Sequence, residues 1–343
     1  GGAQEGGGVV SGHPWLVCGV AGLQLSPEER ALLQALQPGG VILFARNLQS
    51  PAQAQDLVAS LRELSGSPYV AVDLEGGRVN RLRALLGELP SPQELSRHGE
   101  EAARALGEAC GAACAALWIN VDLAPVVDVA GEASFLAEEG RCWGYSVEDV
   151  ARLAGAFLSG LESFGVAGCL KHFPGLGSGP VDSHRELPLL GDEVKLHREA
   201  FGKLASPERA VMVAHALAPA LGEAVAPASL SRKIVSLVPR EAGLIMADDV
   251  EMGALAAWGS LEERATAALM AGCHQVLLCN ALEARQAVAD YVDFWAEKDP
   301  ALAAALERAS FRVSRFARGT VSPVSWAEAQ ERAAEVRQRW GKA

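Results

Sequence analysis

The chain has 343 residues, of which 50% are hydrophobic and 21% charged, so it holds ample material for a large buried core and does not read as disordered. Its formal net charge of −12 repels polyphosphate and anionic lipid, which argues against nucleic-acid and membrane partners. No apolar run reaches the roughly 18 residues a membrane-crossing helix needs, so a soluble protein is expected.

In chain order, the first eight residues, GGAQEGGG, are too polar and glycine-rich to pack, and a disordered tail over 1–8 is expected before one domain over 9–343. Short apolar runs then alternate with longer helical patterns. The strand candidates are 15–20, 40–45, 69–73, 119–124, 166–170, 210–214, 243–247 and 274–279. Helical segments lie between them, such as SPEERALLQALQ from Ser26, SPAQAQDLVASLREL from Ser50 and SVEDVARLAGAFLSGLESF from Ser146. Each opens on a serine suited to N-capping, the first two place Pro directly after it, and acidic residues occupy the first turns of the first and third, where the helix dipole favours them. Gly165 and Gly272 stand where left-handed C-terminal residues are expected.

Strands that are apolar almost throughout are buried on both faces, as in a parallel sheet covered by helices. Eight such strands with intervening helices predict an α/β fold, a single (β/α)₈ TIM barrel. Extra C-terminal helices after residue 296 are expected to pack on its exterior. An open dinucleotide-binding sheet would need a GxGxxG turn after the first strand, and Gly19, Gly22 and their neighbours do not supply one. PGLGSGP (174–180) lacks the GK[ST] ending of a phosphate loop and reads as a mobile loop. The seven cysteines are odd in number, show no CxxC spacing and sit largely in apolar runs; buried reduced thiols and a cytoplasmic location are expected.

Polar residues gather at the predicted strand ends: Asp73 and Glu75, Asp122 and Asp128, Lys171 and His172, His215, Asp248 and Asp249, and Asn280. In a (β/α)₈ barrel these ends converge on one mouth, where active sites are built. Capping explains one acidic residue after a strand, but not the same pattern on six strands.

Five segments carry a resemblance: GGVILFARN (39–47), AVDLEGGRVNRL (71–82), RCWG (141–144), KHFPGLGSGPVDSH (171–184) and ADDVEM (247–252). Together they resemble glycoside hydrolase family 3, most closely its bacterial β-N-acetylglucosaminidase branch. The resemblance spans about 39 to 280, and KHFPG followed by DSH is its most specific part.

It implies retaining exo-hydrolysis of terminal β-linked N-acetylglucosamine, plausibly from peptidoglycan fragments. The first Asp of the pair, Asp248, would be the nucleophile, with Asp249 supporting the site or capping the next helix. His184 would be the general acid/base, oriented by Asp182 within one loop, in place of the usual second carboxylic acid. Asp73, Arg81, Arg141, Lys171 and His172 match residues that hold the terminal sugar, and charged groups bind its adjacent hydroxyls in pairs. The departure is Leu176, where the family usually has His, which bears on the loop's contacts and not on the dyad.

Taken without the resemblance, Glu75 reads equally as an internal ion-pair partner, and His215 as a core histidine or a pocket wall. No metal and no cofactor are called for, since no ligand pattern such as HExxH is present. A carbohydrate is the expected partner, and the oligomeric state is open. The alternatives are a β-glycoside phosphorylase, a β-glucosidase of the same family, or a non-catalytic sugar-binding barrel.

Overall fold

The computed structural model describes residues 11–132, 134–178 and 186–342. Eight strands form one parallel sheet: β1 (His13–Cys18), β2 (Pro38–Leu43), β3 (Tyr69–Val72), β6 (Val121–Asp122), β7 (Cys169–Phe173), β8 (Ala210–Val213), β9 (Leu244–Ala247) and β10 (Gln275–Leu278). The spatial order is β6-β3-β2-β1-β10-β9-β8-β7, and isolated bridges Val121–Ala167 and Val126–Lys171 join the two edges into a barrel. Between β3 and β6 lies a small antiparallel hairpin, β4 (Leu74–Gly76) with β5 (Val79–Asn80). Its turn uses Gly76 and Gly77 at φ of +94° and +59°, a region that disfavours any side chain.

The strands are apolar on both faces because each face has its own core. Val17, Ile42, Ala71, Val121, Cys169, Met212, Met246 and Leu277 point into the barrel, while Leu16, Val41, Val70, Leu170, Val211, Ala247 and Val276 pack against the helices. This is the period-two alternation of a strand, with no polar face to betray it in the sequence.

Ser26, Ser50 and Ser146 cap their helices as expected, each accepting a hydrogen bond from the amide three residues on. Helices Glu100–Ala116 and Val147–Glu162 cross closely at Gly107 and Gly160. A Cβ at either would stand 2.0 Å from Phe157 O or 2.3 Å from Arg104 O respectively.

The structure corrects three expectations. The segment expected as a strand over 119–124 narrows to Val121–Asp122, and the one over 166–170 runs instead through Lys171 and His172 to Phe173. Polarity marked the strand end too early, because ladder hydrogen bonds do not depend on the side chain. The terminal helices do not lie on the exterior alone. Val313 and Phe316, at the end of helix Pro300–Arg315, enter the inner core, where Phe316 meets Tyr69 edge-on with centroids 5.5 Å apart. They close the barrel floor. No helix among the described residues is long and apolar enough to cross a membrane.

Candidate active site

Extending the inward register of each strand by one more pair of residues reaches the site. Phe44 follows Ile42, Asp73 follows Ala71, Lys171 follows Cys169, Asp248 follows Met246 and Cys279 follows Leu277, so these five form the top layer of the barrel interior. A cavity of about 510 Å³ opens above them, floored by apolar side chains such as Ile42, Leu123, Met212 and Leu277. Arg81, Arg141, His172 and Asn280 complete the wall. An irregularity in the β7–β8 register between Lys171 and Phe173 breaks the alternation there, which lets His172 line the cavity beside Lys171.

Glu75 is the centre of the charge arrangement. Its carboxylate accepts two hydrogen bonds from Arg141, at 2.8 and 2.9 Å, and pairs with Lys171 Nζ at 2.7 Å. Lys171 also reaches Asp73 at 3.2 Å. Burial opposes the Glu75 charge, but Arg141 and Lys171 outweigh it and hold the carboxyl well below its usual range. The same pairs hold Lys171 and Arg141 charged against the cost of burial. The group therefore presents fixed charges to a ligand with no reorganisation, at the mouth of a largely dry interior.

His172 is held by Asp128. Nδ1 lies 2.7 Å from Asp128 Oδ2, and the same carboxylate accepts the backbone amides of His172 and Leu176. With Nδ1–H given to the carboxylate, Nε2 is left for the cavity. Arg81 donates its backbone N–H to Asp73 O at 3.2 Å, and its guanidinium sits 5.8 Å from the Phe44 ring centroid. Its Nε is buried and has no hydrogen-bond partner among the described residues.

Asp248 stands at the end of β9 with its backbone N–H donated to Val213 O, and its Oδ1 accepts the amide of Asp249 at 2.8 Å. Asp249 accepts the Glu251 amide at 3.0 Å, so it shapes a turn and caps no regular helix. Burial and then the neighbouring Glu251 push the Asp249 carboxyl well above the usual carboxylate range. Glu251 in turn accepts the amides of Cys279 and Asn280 at 2.6 and 2.8 Å and that of Ala281, tying the loop after β9 to the loop after β10. Ligand atoms of Asp249, Glu251 and Cys279 lie within 4.8 Å of one another. Glu251 is already committed to three amides, which makes the trio a poor cation site.

Asp73, Arg81, Arg141, Lys171, His172 and Asp248 thus meet in one cavity, while Asp182 and His184 lie outside the described residues. Asp122 and Asp128, read as mouth residues, are fully buried instead. Asp122 accepts the Leu74 amide at 3.0 Å, and burial pushes its carboxyl well up; Asp128 serves His172. His215 is a core histidine, bonded to Ser229 Oγ and to the carbonyl of Asp249 at 2.7 and 2.8 Å. Sequence reasoning missed Phe44, Arg46 and Glu251. Arg46 lies 4.9 Å from the Phe44 ring and binds Asn280 Oδ1 at 2.6 Å, and its sequence signal was its place in GGVILFARN (39–47), just after a strand.

A parallel barrel with acidic and basic groups layered at its C-terminal mouth defines a (β/α)₈-barrel enzyme. The Glycosyl hydrolase family 3 N terminal domain matches residues 13–339, and the chain belongs to that family of glycoside hydrolases. It is 38% identical over 294 residues to a β-hexosaminidase of Alkalilimnicola ehrlichii, covering 80% of this chain and 82% of the relative. A β-hexosaminidase of Vibrio cholerae is 34% identical over 319 residues, covering 90% of this chain and 94% of the relative. Among solved structures, NagZ from Neisseria gonorrhoeae in complex with N-trifluoroacetyl-D-glucosamine superposes with a TM-score of 0.80 at 27% identity, covering 97% of this chain and 99% of that one.

Proposed function

We propose that residues 9–343 form one catalytic domain that removes terminal β-linked N-acetylglucosamine with retention of configuration. The observation that carries this reading is the inward register of β9, which sets Asp248 in the top layer of the barrel beside Asp73, Lys171, His172 and Arg81. Asp73, Arg81, Arg141, Lys171 and His172 grip the hydroxyls of the terminal sugar, Arg141 partly by fixing Glu75. Asp248 attacks the anomeric carbon and forms a glycosyl-enzyme as the aglycone departs. His184, oriented by Asp182, gives its proton to the leaving oxygen and then takes one from the water that releases the sugar. The residues invoked need no metal and no cofactor.

Seven free, buried cysteines suit a reducing compartment, and we place the enzyme in the cytoplasm, acting on peptidoglycan-derived fragments. The relatives' names and the N-trifluoroacetyl-D-glucosamine complex support the sugar; the acidic surface supports a partner that is neither nucleic acid nor membrane. The test is turnover of a chromogenic β-N-acetylglucosaminide beside the matching β-glucoside, with and without inorganic phosphate. Hydrolysis selective for the N-acetyl sugar and indifferent to phosphate is expected. Phosphate-dependent release of a sugar phosphate, preference for the glucoside, or no turnover of either would overturn the proposal.

A further inference from the structure

A second concavity of about 870 Å³ lies at the opposite end of the barrel. It is framed by the segments leading into β7, β8 and β9 and by the end of helix Pro300–Arg315. The charged groups lining it are Arg209, Arg312, Arg315, Arg318, Glu162 and Glu208. Arg209 and Glu162 neutralise each other at 2.6 and 3.2 Å. The other three arginines have no carboxylate within 4.0 Å among the described residues.

Their present contacts leave charge to spare. Arg312 donates Nη1 to Ala242 O at 3.1 Å, and Arg318 donates to Ser314 O and Ser67 O at 3.1 and 3.2 Å; these are neutral acceptors. Arg315 is exposed, with its guanidinium 4.6 Å from the Phe311 ring centroid and no hydrogen bond to the other described residues. The positive field extends inward: Arg312 and Arg308 add to burial in lowering the pKa of His274, at the foot of β10, to about 4. Three guanidinium groups outside any ion pair thus line one hollow against a single unpaired carboxylate, Glu208, a local excess of positive charge in a protein of net charge −12.

We propose that this floor cleft is a binding site for a small, multiply charged phosphoryl compound, separate from the catalytic mouth. Guanidinium groups present paired N–H donors that match phosphoryl oxygens, and several of them in a concave wall concentrate the field on a compact polyanion. The cleft has the volume for a ligand of metabolite size. Its occupant balances the positive charge that Glu208 alone does not offset.

The test is calorimetric titration of the full chain with sodium pyrophosphate at constant ionic strength, in wild type and in Arg315→Gln and Arg312→Gln. Saturable binding is expected, weakened about tenfold in Arg315→Gln, the size of one lost charged hydrogen-bond contact. It should persist in the presence of saturating N-acetylglucosamine. Thermal melts give an independent reading: pyrophosphate should raise the wild-type Tm, while Arg315→Gln without pyrophosphate should melt at or above wild type. No saturable heat, binding unchanged in both variants, displacement by the sugar, or an anion-free Arg315→Gln that melts well below wild type would overturn the proposal.

Discussion

At the mouth of the barrel, Glu75, Arg141, Lys171 and Asp73 neutralise one another across distances of 2.7 to 3.2 Å in largely buried surroundings. At the floor, Val313 and Phe316 fill the interior with hydrocarbon, and the arginines beside them line a cleft outside the barrel. Both ends are built from the same inward register of the same strands. What differs is the phase at which each strand ends: the mouth layer continues the pattern with polar residues, and the floor layer is sealed from outside by a helix. In a parallel barrel chemistry and closure can therefore be changed separately, since no residue belongs to both layers.

Four substitutions test that separation. The largest effect belongs to Asp248→Asn, which should bring turnover to background while leaving the Tm near wild type. A 5-fluoro glycosyl trap should label Asp248 in a peptide map, and label on Asp249 or Glu75 would move the nucleophile elsewhere.

Next is His184→Ala. With a sugar leaving group the loss should be about 10²–10⁴-fold, the usual range for proton transfer. With an activated phenol the first step should suffer far less and glycosyl-enzyme should accumulate. Equal loss across phenols of increasing pKa would remove His184 from the acid role.

At the other end, Phe316→Ala should cost about 3–5 kcal/mol of stability, because it empties the floor of the inner core. KM and kcat measured well below the melting range should hardly move, and a KM change comparable to a mouth variant's would break the separation of the two ends.

The smallest effect on activity is expected for Asp249→Asn. Burial and the neighbouring Glu251 raise the folded Asp249 value above the ordinary one near 3.9. Between the unfolded and the folded value the unfolded chain has lost this proton and the folded one keeps it, so Asp249 lowers stability progressively as pH rises above about 4. Asparagine imitates the protonated acid, so the variant should lose that slope and keep most activity at neutral pH. Melting curves taken at a series of pH values check this, and a slope unchanged by the substitution would show that Asp249 is ionised in the fold.

The barrel could be read from the sequence because a strand buried on both faces leaves an uninterrupted apolar run, and the serine caps marked helix starts. The β4–β5 hairpin could not, since LEG and VN are too short and polar to carry a period. The floor plug was hidden for a different reason: Val313 and Phe316 look like the ordinary apolar face of a surface helix, and only the three-dimensional path takes them inside. The mouth residues were legible as polar residues following strands, but their pairing was not. Asp128 and Glu251 act on partners 44 and about 28 residues away, at separations no local pattern records.

All seven cysteines are free and buried, and burial pushes Cys18, Cys169 and Cys273 up to about 12. Alkylating reagents attack the thiolate, which is both scarce at these positions and out of reach in the native chain. The cysteines thus form a built-in set of clocks for opening. Cys110 and Cys114 report from the helix Glu100–Ala116, whereas Cys169 and Cys279 report from inside the barrel. The order in which they become alkylated in mild denaturant would trace which layer of the molecule loosens first.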